Sequence, residues 1–471
     1  MAMREPLFNQ LARPVPAALA GKRVLVLGLG DTGLSVAKWV TREGARARVA
    51  DTRAAPPRAQ ELRAGVPQAE LHGGAFSPAL LEGVDVLCLS PGLALAEPVV
   101  QEAQRRAIPV LGDIELFAWR VRGAGAGKVA AITGTNGKTT VTALTGHLLR
   151  AAGVDCEVAG NIGPAALEAL ARRLDAGRLP AVWVLELSSY QLETTWALEP
   201  DTAALLNLSE DHLDRYAGLD EYGAAKARIF LGQGTQVLNR DDARSLALWQ
   251  PGRRRITFGL DTPPQPEDFG VIVIQGIHWL AQGANALVRV EDLPISGWHN
   301  VGNALAAAAL ARSLGVGYAA LATGLLGFQG LPHRLQRIAL RGGVAYYDDS
   351  KGTNVGATVA ALRGLAQTSV LIAGGDGKGQ DFSPLVEPVS EFARRVLLIG
   401  RDAARIAAAL EPSGVPVEFC ASLEDAVARA ARAAQPGDAV LLSPACASFD
   451  MFRDYKHRGE AFAAAVRELE A

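Results

Sequence analysis

Residues 129–140 read Val-Ala-Ala-Ile-Thr-Gly-Thr-Asn-Gly-Lys-Thr-Thr, an apolar stretch, a glycine turn and then Lys138-Thr139. Residue types in that order suit the binding of phosphate. Gly134 and Gly137 let the main chain curl until its N–H groups face phosphate oxygens, Lys138 adds a point charge and Thr139 can reach a magnesium ion. Val141, Leu144 and Leu148 then recur at helical spacing, and the N-terminus of such a helix favours anions. Ile132 stands where the longer form of this loop has its first glycine, so this is the shorter GxxGK[ST] form.

A second candidate phosphate turn lies nearer the N-terminus. Gly28-Leu29-Gly30-Asp31-Thr32-Gly33 follows the apolar run Val24–Leu27, and Asp51 stands about twenty residues on, as in a dinucleotide-binding fingerprint. A lone GxGxxG specifies only a close approach of backbone to phosphate. A nicotinamide dinucleotide, a nucleotide-sugar diphosphate and a purely structural turn all remain open on these residues. Arg53, just past Asp51, can serve ribose or phosphate contacts.

Further groups stand at the ends of apolar runs. Glu186 closes Trp183-Val-Leu-Glu and suits a hard cation, against the alternative of an edge-facing charge. His212 lies in the dense polar cluster Asn207-Leu-Ser-Glu-Asp-His, which reads as functional rather than as a core histidine. Lys226, in Gly223-Ala-Ala-Lys-Ala-Arg, reads from its neighbours as an ordinary solvated helix lysine. Lys351 in Asp348-Asp-Ser-Lys-Gly-Thr-Asn354 and Lys378 in Gly374-Gly-Asp-Gly-Lys-Gly follow successive strand-like runs and would face one crevice. Cys446 has no histidine placed to activate it and reads as a packing residue.

The elements that position these groups alternate between strand and helix patterns, giving an α/β chain of three blocks. Strands are expected at 24–27, 86–89, 183–187, 203–208, 344–347, 370–373, 396–399 and 439–442, with helices such as 34–40, 300–314 and 403–410. Between 235 and 294 the pattern shifts to short strand-like pieces, including 271–274 and 277–280. The boundaries expected are 1–114 for a Rossmann-like domain, 115–330 for a central ATP-binding domain with a small extra sheet, and 331–471 for a C-terminal Rossmann-like domain. The 471 residues carry a net charge of −2 without a long basic run, which argues against a nucleic-acid surface. Four scattered cysteines show no CxxC spacing and no disulfide framework, pointing to a reducing cytoplasm. Neither a leader-like apolar segment at the start nor a run of membrane-spanning length is seen, so no membrane partner is expected. The abundance of alanine, and of Arg over Lys, reads as genomic bias rather than chemistry.

Taken together, TGTNGKTT (133–140), ELSSYQL (186–192), NLSEDHLDRY (207–216), AAKARI (224–229), HNVGNALAA (299–307), HRLQ (333–336), DDSKGTN (348–354), GGDGKG (374–379) and SPACASFDMF (443–452) resemble the Mur ligase family, ATP-dependent amide-forming enzymes of peptidoglycan precursor synthesis. The likeness spans all three blocks. GLGDTG, GGDGKG and SPACASFD look most like the member that adds D-glutamate to UDP-N-acetylmuramoyl-L-alanine, and no DNPR-type motif of the diaminopimelate-adding member is found. A family member adding a different amino acid is the alternative. A nicotinamide oxidoreductase would leave the phosphate loop, Glu186 and His212 without a role. A non-catalytic module would be expected to have lost Lys138, Glu186 or Lys226, all present.

The resemblance implies the following assignments. ATP would be held by Gly134, Thr135, Asn136, Gly137, Lys138, Thr139 and Thr140, with Asn300, Asn303, Arg334 and Asp349. Two Mg2+ ions would be bound through Thr139, Glu186, His212 and a carbamylated Lys226, with Lys138, His212 and Lys226 the catalytic set. The UDP-sugar would lie on Gly28, Leu29, Gly30, Asp31, Thr32, Gly33, Asp51, Thr52 and Arg53, with Ser90, Pro91, Gly92 and Asn161. The amino acid would meet Lys351, Thr353, Lys378, Ser448, Phe449 and Tyr455. Tyr190, where some relatives have Phe, is a mild departure. A monomer in the cytoplasm is expected, with closure of the third domain about a hinge near 330–332.

Overall fold

In the computed structural model, which describes Leu11 and residues 18–122, 126–212 and 215–469, three parallel or mostly parallel sheets follow one another along the chain. Residues 123–125, and residues 213–214 of the NLSEDHLDRY motif, lie outside the described residues. The first sheet takes β1 (Arg23–Leu27), β2 (Arg46–Asp51), β3 (Glu70–Gly73), β4 (Val86–Leu89) and β5 (Val110–Leu111) in the order β3-β2-β1-β4-β5, all parallel. Its central strands β1 and β4 are buried apolar runs, the usual state of the inner strands of an all-parallel sheet. The order reverses between β1 and β4, where the Gly28–Gly33 turn emerges, and such a switch point opens a crevice.

The helix Asp113–Val121 leads onward. Phe117 on this helix meets Trp183 edge-on at 5.2 Å, and the Trp183 indole N–H donates to the Ala126 carbonyl at 2.8 Å.

The second sheet is larger and mixed. It contains β6 (Lys128–Thr133), β7 (Cys156–Gly160), β8 (Val182–Glu186), β9 (Thr202–Leu205), β10 (Thr235–Asn239), β11 (Arg255–Phe258), β12 (Phe269–Ile274), β13 (Ile277–Gln282) and β14 (Asn285–Arg289), ordered β14-β13-β12-β11-β10-β9-β6-β8-β7. The last three strands pair antiparallel, which is the small extra sheet anticipated from the short pieces after residue 235. β9 ends earlier than the apolar pattern suggested. Leu206 and Asn207 leave the ladder because their main chains bond the phosphate loop instead, Leu206 N–H to Thr133 and Thr135 N–H to Asn207. The helix Trp298–Ser313 packs against both the helix Lys138–Ala151 and the strands β9 to β13, and Ala304 and Ala306 through Ala309 on it are wholly buried.

The third sheet runs β15-β16-β20-β17-β18-β19 from β15 (Gln336–Arg341), β16 (Val344–Asp348), β17 (Ser369–Gly374), β18 (Ala393–Ile399), β19 (Val417–Phe419) and β20 (Ala439–Leu442). β15 is antiparallel and the others parallel. Asp348 of β16 and Ile372 of β17 both align with Leu442 of β20, so the turns after these three strands emerge side by side.

The first glycine turn yields a paired prediction. A Cβ at Gly33 would fall 1.8 Å from the Gly28 carbonyl oxygen, whereas one at Gly30 meets nothing within 4 Å. Gly33→Ala therefore forces the helix off the strand end and should lower the thermal midpoint by several degrees, at roughly 2–4 °C per kcal/mol. Gly30→Ala should melt with the parent, as differential scanning calorimetry would read.

Candidate active site

The carboxyl ends of β6, β7, β8 and β9 meet at one point: Ile132 aligns with Glu186, Gly160 with Glu186, and Thr133 with Leu205. The phosphate loop emerges there. Gly134 (φ 153°) and Gly137 (φ 82°) take conformations that disfavour a side chain, and a Cβ at Gly137 would lie 2.4 Å from Asn303 Oδ1. Lys138 Nζ donates to the Gly134 and Thr135 carbonyls at 2.8 Å each. Lys226 Nζ donates to the same Gly134 carbonyl at 2.8 Å and lies 3.4 Å from Thr133 Oγ1. Lys226 is thus buried, at 1 % exposure, and not the solvated lysine its neighbours suggest. The small residues beside it, Gly223 to Ala225, let its helix sink against the loop.

Burial lowers both lysines, and Glu186 and Asp211 oppose that effect at each. Lys226 falls well below the ordinary lysine range, where the Lys138 charge adds to burial. Glu186 is itself buried. Its Oε1 accepts the Asn161 amide at 2.7 Å, and its Oε2 has no hydrogen-bond partner among the described residues. An enclosed carboxylate oxygen left open in this way suits a cation. No group of three or more His, Cys, Asp or Glu side chains forms a complete metal cage among the described residues, so a metal here would need other oxygen ligands as well.

His212 adopts φ 57°, with its N–H bonded to Asp211 Oδ1 at 3.0 Å and its ring 4.8 Å from that of Tyr190. Burial lowers its pKa while Asp211 opposes this, which favours a neutral imidazole with a lone pair to offer.

The third domain reaches this point directly. Arg334 Nη2 donates to the Thr139 hydroxyl, and Asn354 Nδ2 to Asn136 Oδ1 at 3.2 Å. Between the domains lies a cavity of about 280 Å³ walled by Asn136, Gly137, Thr140, Asn300, Asn303, Arg334, Asp349 and Lys351. Asn303 Nδ2 donates to Asn300 Oδ1 at 3.0 Å, and Asn300 Nδ2 donates to the Ser296 carbonyl at 2.7 Å. Burial pushes Asp349 up to about 7 despite the Ser443 hydroxyl bonded to it.

A second cavity, of about 1220 Å³, opens over the first sheet. Gly28, Gly30, Asp31, Thr32, Gly33, Asp51, Thr52, Arg53, Ser90, Pro91, Gly92 and Asn161 all line it. Leu29 does not. Its side chain is buried in the core, and only its N–H is used, donating to Asp51 Oδ2 at 2.7 Å. The Arg53 guanidinium grips Asp51 from two nitrogens at 2.8 and 2.7 Å and holds that carboxyl at about 2. Ser90 Oγ ties the second turn to the first by donating to the Gly28 carbonyl at 3.0 Å. Asn161 and Gln191 bring the second domain into the wall, so this cavity ends beside Glu186.

The six candidate amino-acid contacts are less uniformly gathered. Lys351, which lines the cavity between the domains, has its Nζ 3.9 Å from the Tyr455 ring centre, and burial lowers it to about 8. Lys378 joins His212 in a separate cavity of about 360 Å³. Thr353 is half-buried, Ser448 is buried at 2 %, and Phe449 is 72 % exposed. Arg458, which sequence reasoning did not single out, ties two of these turns together: its guanidinium donates to the Ser350 and Cys446 carbonyls and to Ser350 Oγ. Cys446 is fully buried and its thiol is pushed up to about 12, as befits packing. Arg215 and Glu193 also escaped notice, because their pairing joins distant segments.

Comparison with known proteins agrees with this architecture. Residues 22–112 match a family model described as Mur ligase MurD-like, N-terminal domain, residues 132–311 the Mur ligase middle domain, and residues 333–446 the Mur ligase glutamate ligase domain. A UDP-N-acetylmuramoylalanine--D-glutamate ligase of Nitrosospira multiformis is 56% identical over 457 residues, covering 96% of this chain and 97% of the relative. One from Aromatoleum aromaticum is 54% identical over 459 residues, covering 96% and 98%. Among solved structures, MurF from Acinetobacter baumannii superposes with a TM-score of 0.60 at 18% identity, covering 97% of this chain and 93% of that one, a likeness of fold alone. With three domains matched in order and more than half of the residues shared with such relatives, the chain belongs to the Mur ligase family.

Proposed function

We propose that this chain joins D-glutamate to UDP-N-acetylmuramoyl-L-alanine at the expense of ATP, as a monomer in the cytoplasm, with its domains dividing near residues 114 and 330. The match over 96% of the chain to D-glutamate ligases carries the choice of reaction. Asn161 supports it physically, since it lines the larger cavity and bonds Glu186 at the strand end beside the phosphate loop, and a phosphoryl donor and an acyl acceptor must approach one another. No helix among the described residues is long and apolar enough to cross a membrane.

A carboxylate and an amine do not condense in water. The γ-phosphoryl group of ATP is first transferred to the L-alanyl carboxylate, giving an acyl phosphate and ADP. The amine of D-glutamate then attacks the acyl carbon, and the tetrahedral intermediate expels phosphate. The loop 134–140 cradles the triphosphate, and Lys138 exchanges its carbonyl partners for phosphate oxygens as charge builds on the transferring group. Asn300, Asn303, Arg334 and Asp349 position the nucleotide from the far wall. Glu186, His212, the Thr139 hydroxyl and a carbamate on Lys226 would hold two magnesium ions, which would neutralise phosphoryl charge. Burial and the Lys138 charge favour the neutral amine of Lys226, the form that adds to carbon dioxide with loss of a proton, and the carbamate would supply an anionic oxygen ligand. Lys351, Thr353, Lys378, Ser448, Phe449 and Tyr455 receive the amino acid, with further closure of the third domain bringing Phe449 in.

Phosphate release from ATP in the presence of UDP-N-acetylmuramoyl-L-alanine should require D-glutamate, with L-glutamate and meso-diaminopimelate inert. Release with another amino acid alone would move the chain to a different member of the family. Lys138→Ala should reduce that release by about 10³-fold or more. With ¹³C-bicarbonate, the protein should show a carbamate carbonyl NMR signal that Lys226→Ala lacks. Lys351 is cationic below about pH 8 and neutral above it, so KM for D-glutamate should rise as pH climbs through that value. Lys351→Arg stays charged and should move the rise to higher pH, separating this ionisation from that of the substrate amine.

A further inference from the structure

Arg215 makes contacts near His212 that the assignments above leave unexplained. The N–H groups of Arg215 and Tyr216 both donate to the His212 carbonyl, at 2.9 and 3.2 Å. The Arg215 side chain then spans two domains. Its Nη1 donates to the Pro91 carbonyl at 2.8 Å, in the Ser90–Gly92 turn that walls the sugar-nucleotide cavity. Its Nη2 donates to Glu193 Oε2 at 2.6 Å, and the other Glu193 oxygen accepts the Tyr216 hydroxyl at 2.5 Å. The guanidinium carbon lies 3.9 Å from the centre of the Tyr190 ring, the same ring that rests 4.8 Å from His212.

Two physical points argue that this joint serves the reaction. Side-chain exposures of 10 % and 3 % make Arg215 and Glu193 a buried ion pair, which seldom stabilises a fold better than apolar side chains of the same size. Stability alone therefore gives a weak reason for placing it there. The planar fork can also do what a lysine cannot: bond a carbonyl and a carboxylate on separate nitrogens while stacking on an aromatic face.

Resting on the reading of the two cavities given above, we propose that Arg215 is a positioning residue that holds the sugar-nucleotide cavity in register with the loop carrying His212. Pro91 belongs to a turn that Ser90 fastens to the first glycine loop, so Arg215 fixes that cavity wall against the catalytic loop of the next domain. An acyl acceptor held by one domain must meet a phosphoryl donor held by another, and errors near 1 Å in such alignment can cost about 10²-fold in rate.

The test uses the full-length enzyme in the D-glutamate-dependent phosphate-release assay. Arg215→Lys keeps a cation opposite Glu193 but cannot serve both partners. The double variant Arg215→Met, Glu193→Gln removes both charges and leaves an acceptor for Tyr216. Both should melt near the parent and lose kcat by roughly tenfold or more, with KM for ATP changed by less than twofold. Parental kcat in Arg215→Lys, or recovery of kcat in the double variant together with its melting temperature, would show a merely structural pair and overturn the proposal. Should Arg215→Lys not fold, the double variant alone decides by the same comparison. An unsubstituted enzyme inactive with D-glutamate would instead count against the proposed reaction, a result distinct from either outcome for Arg215.

Discussion

Two buried lysines share one carbonyl oxygen, that of Gly134, and the arrangement of the catalytic centre depends on that crowding. Ammonium groups this close in a poorly solvated space cannot both stay protonated cheaply. Both feel Glu186 and Asp211, and Lys226, lowered the further of the two, gives up its proton the more readily. One lysine is thereby suited to meet phosphate and the other to react as an amine. Glycine at 134 and 137 is the backbone condition for this, since the loop must turn its carbonyl inward and pass against Leu206 and Asn303.

Asn161 links the larger cavity to the centre of the second sheet. It lines that cavity, and its amide also fixes Glu186, whose other carboxylate oxygen is buried without a hydrogen-bond partner among the described residues. Glu186 in turn lies level with Ile132, at the end of the strand that leads into the phosphate loop. The third domain completes the enclosure through Arg334 and Asn354, each bonded to a residue of the phosphate loop. The relation among the sheets, and not any single pocket, brings the three reactants together.

Much of this could be read from the chain. Long apolar runs bounded by glycine marked the central strands, and the phosphate loop declared itself through residue type and order. What could not be read was pairing across long separations. The edge strands β3 and β19 are short and partly polar, and β5 is only two residues long, so all three look like loop. Lys226 looked solvated because its own helix has little amphipathic pattern, and the wall that buries it comes from residues 133 and 134, nearly a hundred positions away. Arg215 and Pro91 are similarly remote, separated by 124 positions. Leu29 sits inside a correctly recognised turn, yet its side chain faces the core. Motif spacing identifies a loop without saying which of its atoms face the ligand.

The helix Trp298–Ser313 has one more consequence. Its alanines looked like a by-product of nucleotide composition, but Ala304 and Ala306 through Ala309 are enclosed on every side, between the phosphate-loop helix and the central sheet. At positions so enclosed a longer side chain must displace a neighbour. Codon drift that swaps alanine freely for valine or threonine on an open surface would here strain the packing of this helix against the helix Lys138–Ala151. Over this stretch, a bias in the genome and a steric demand of the fold select the same residue.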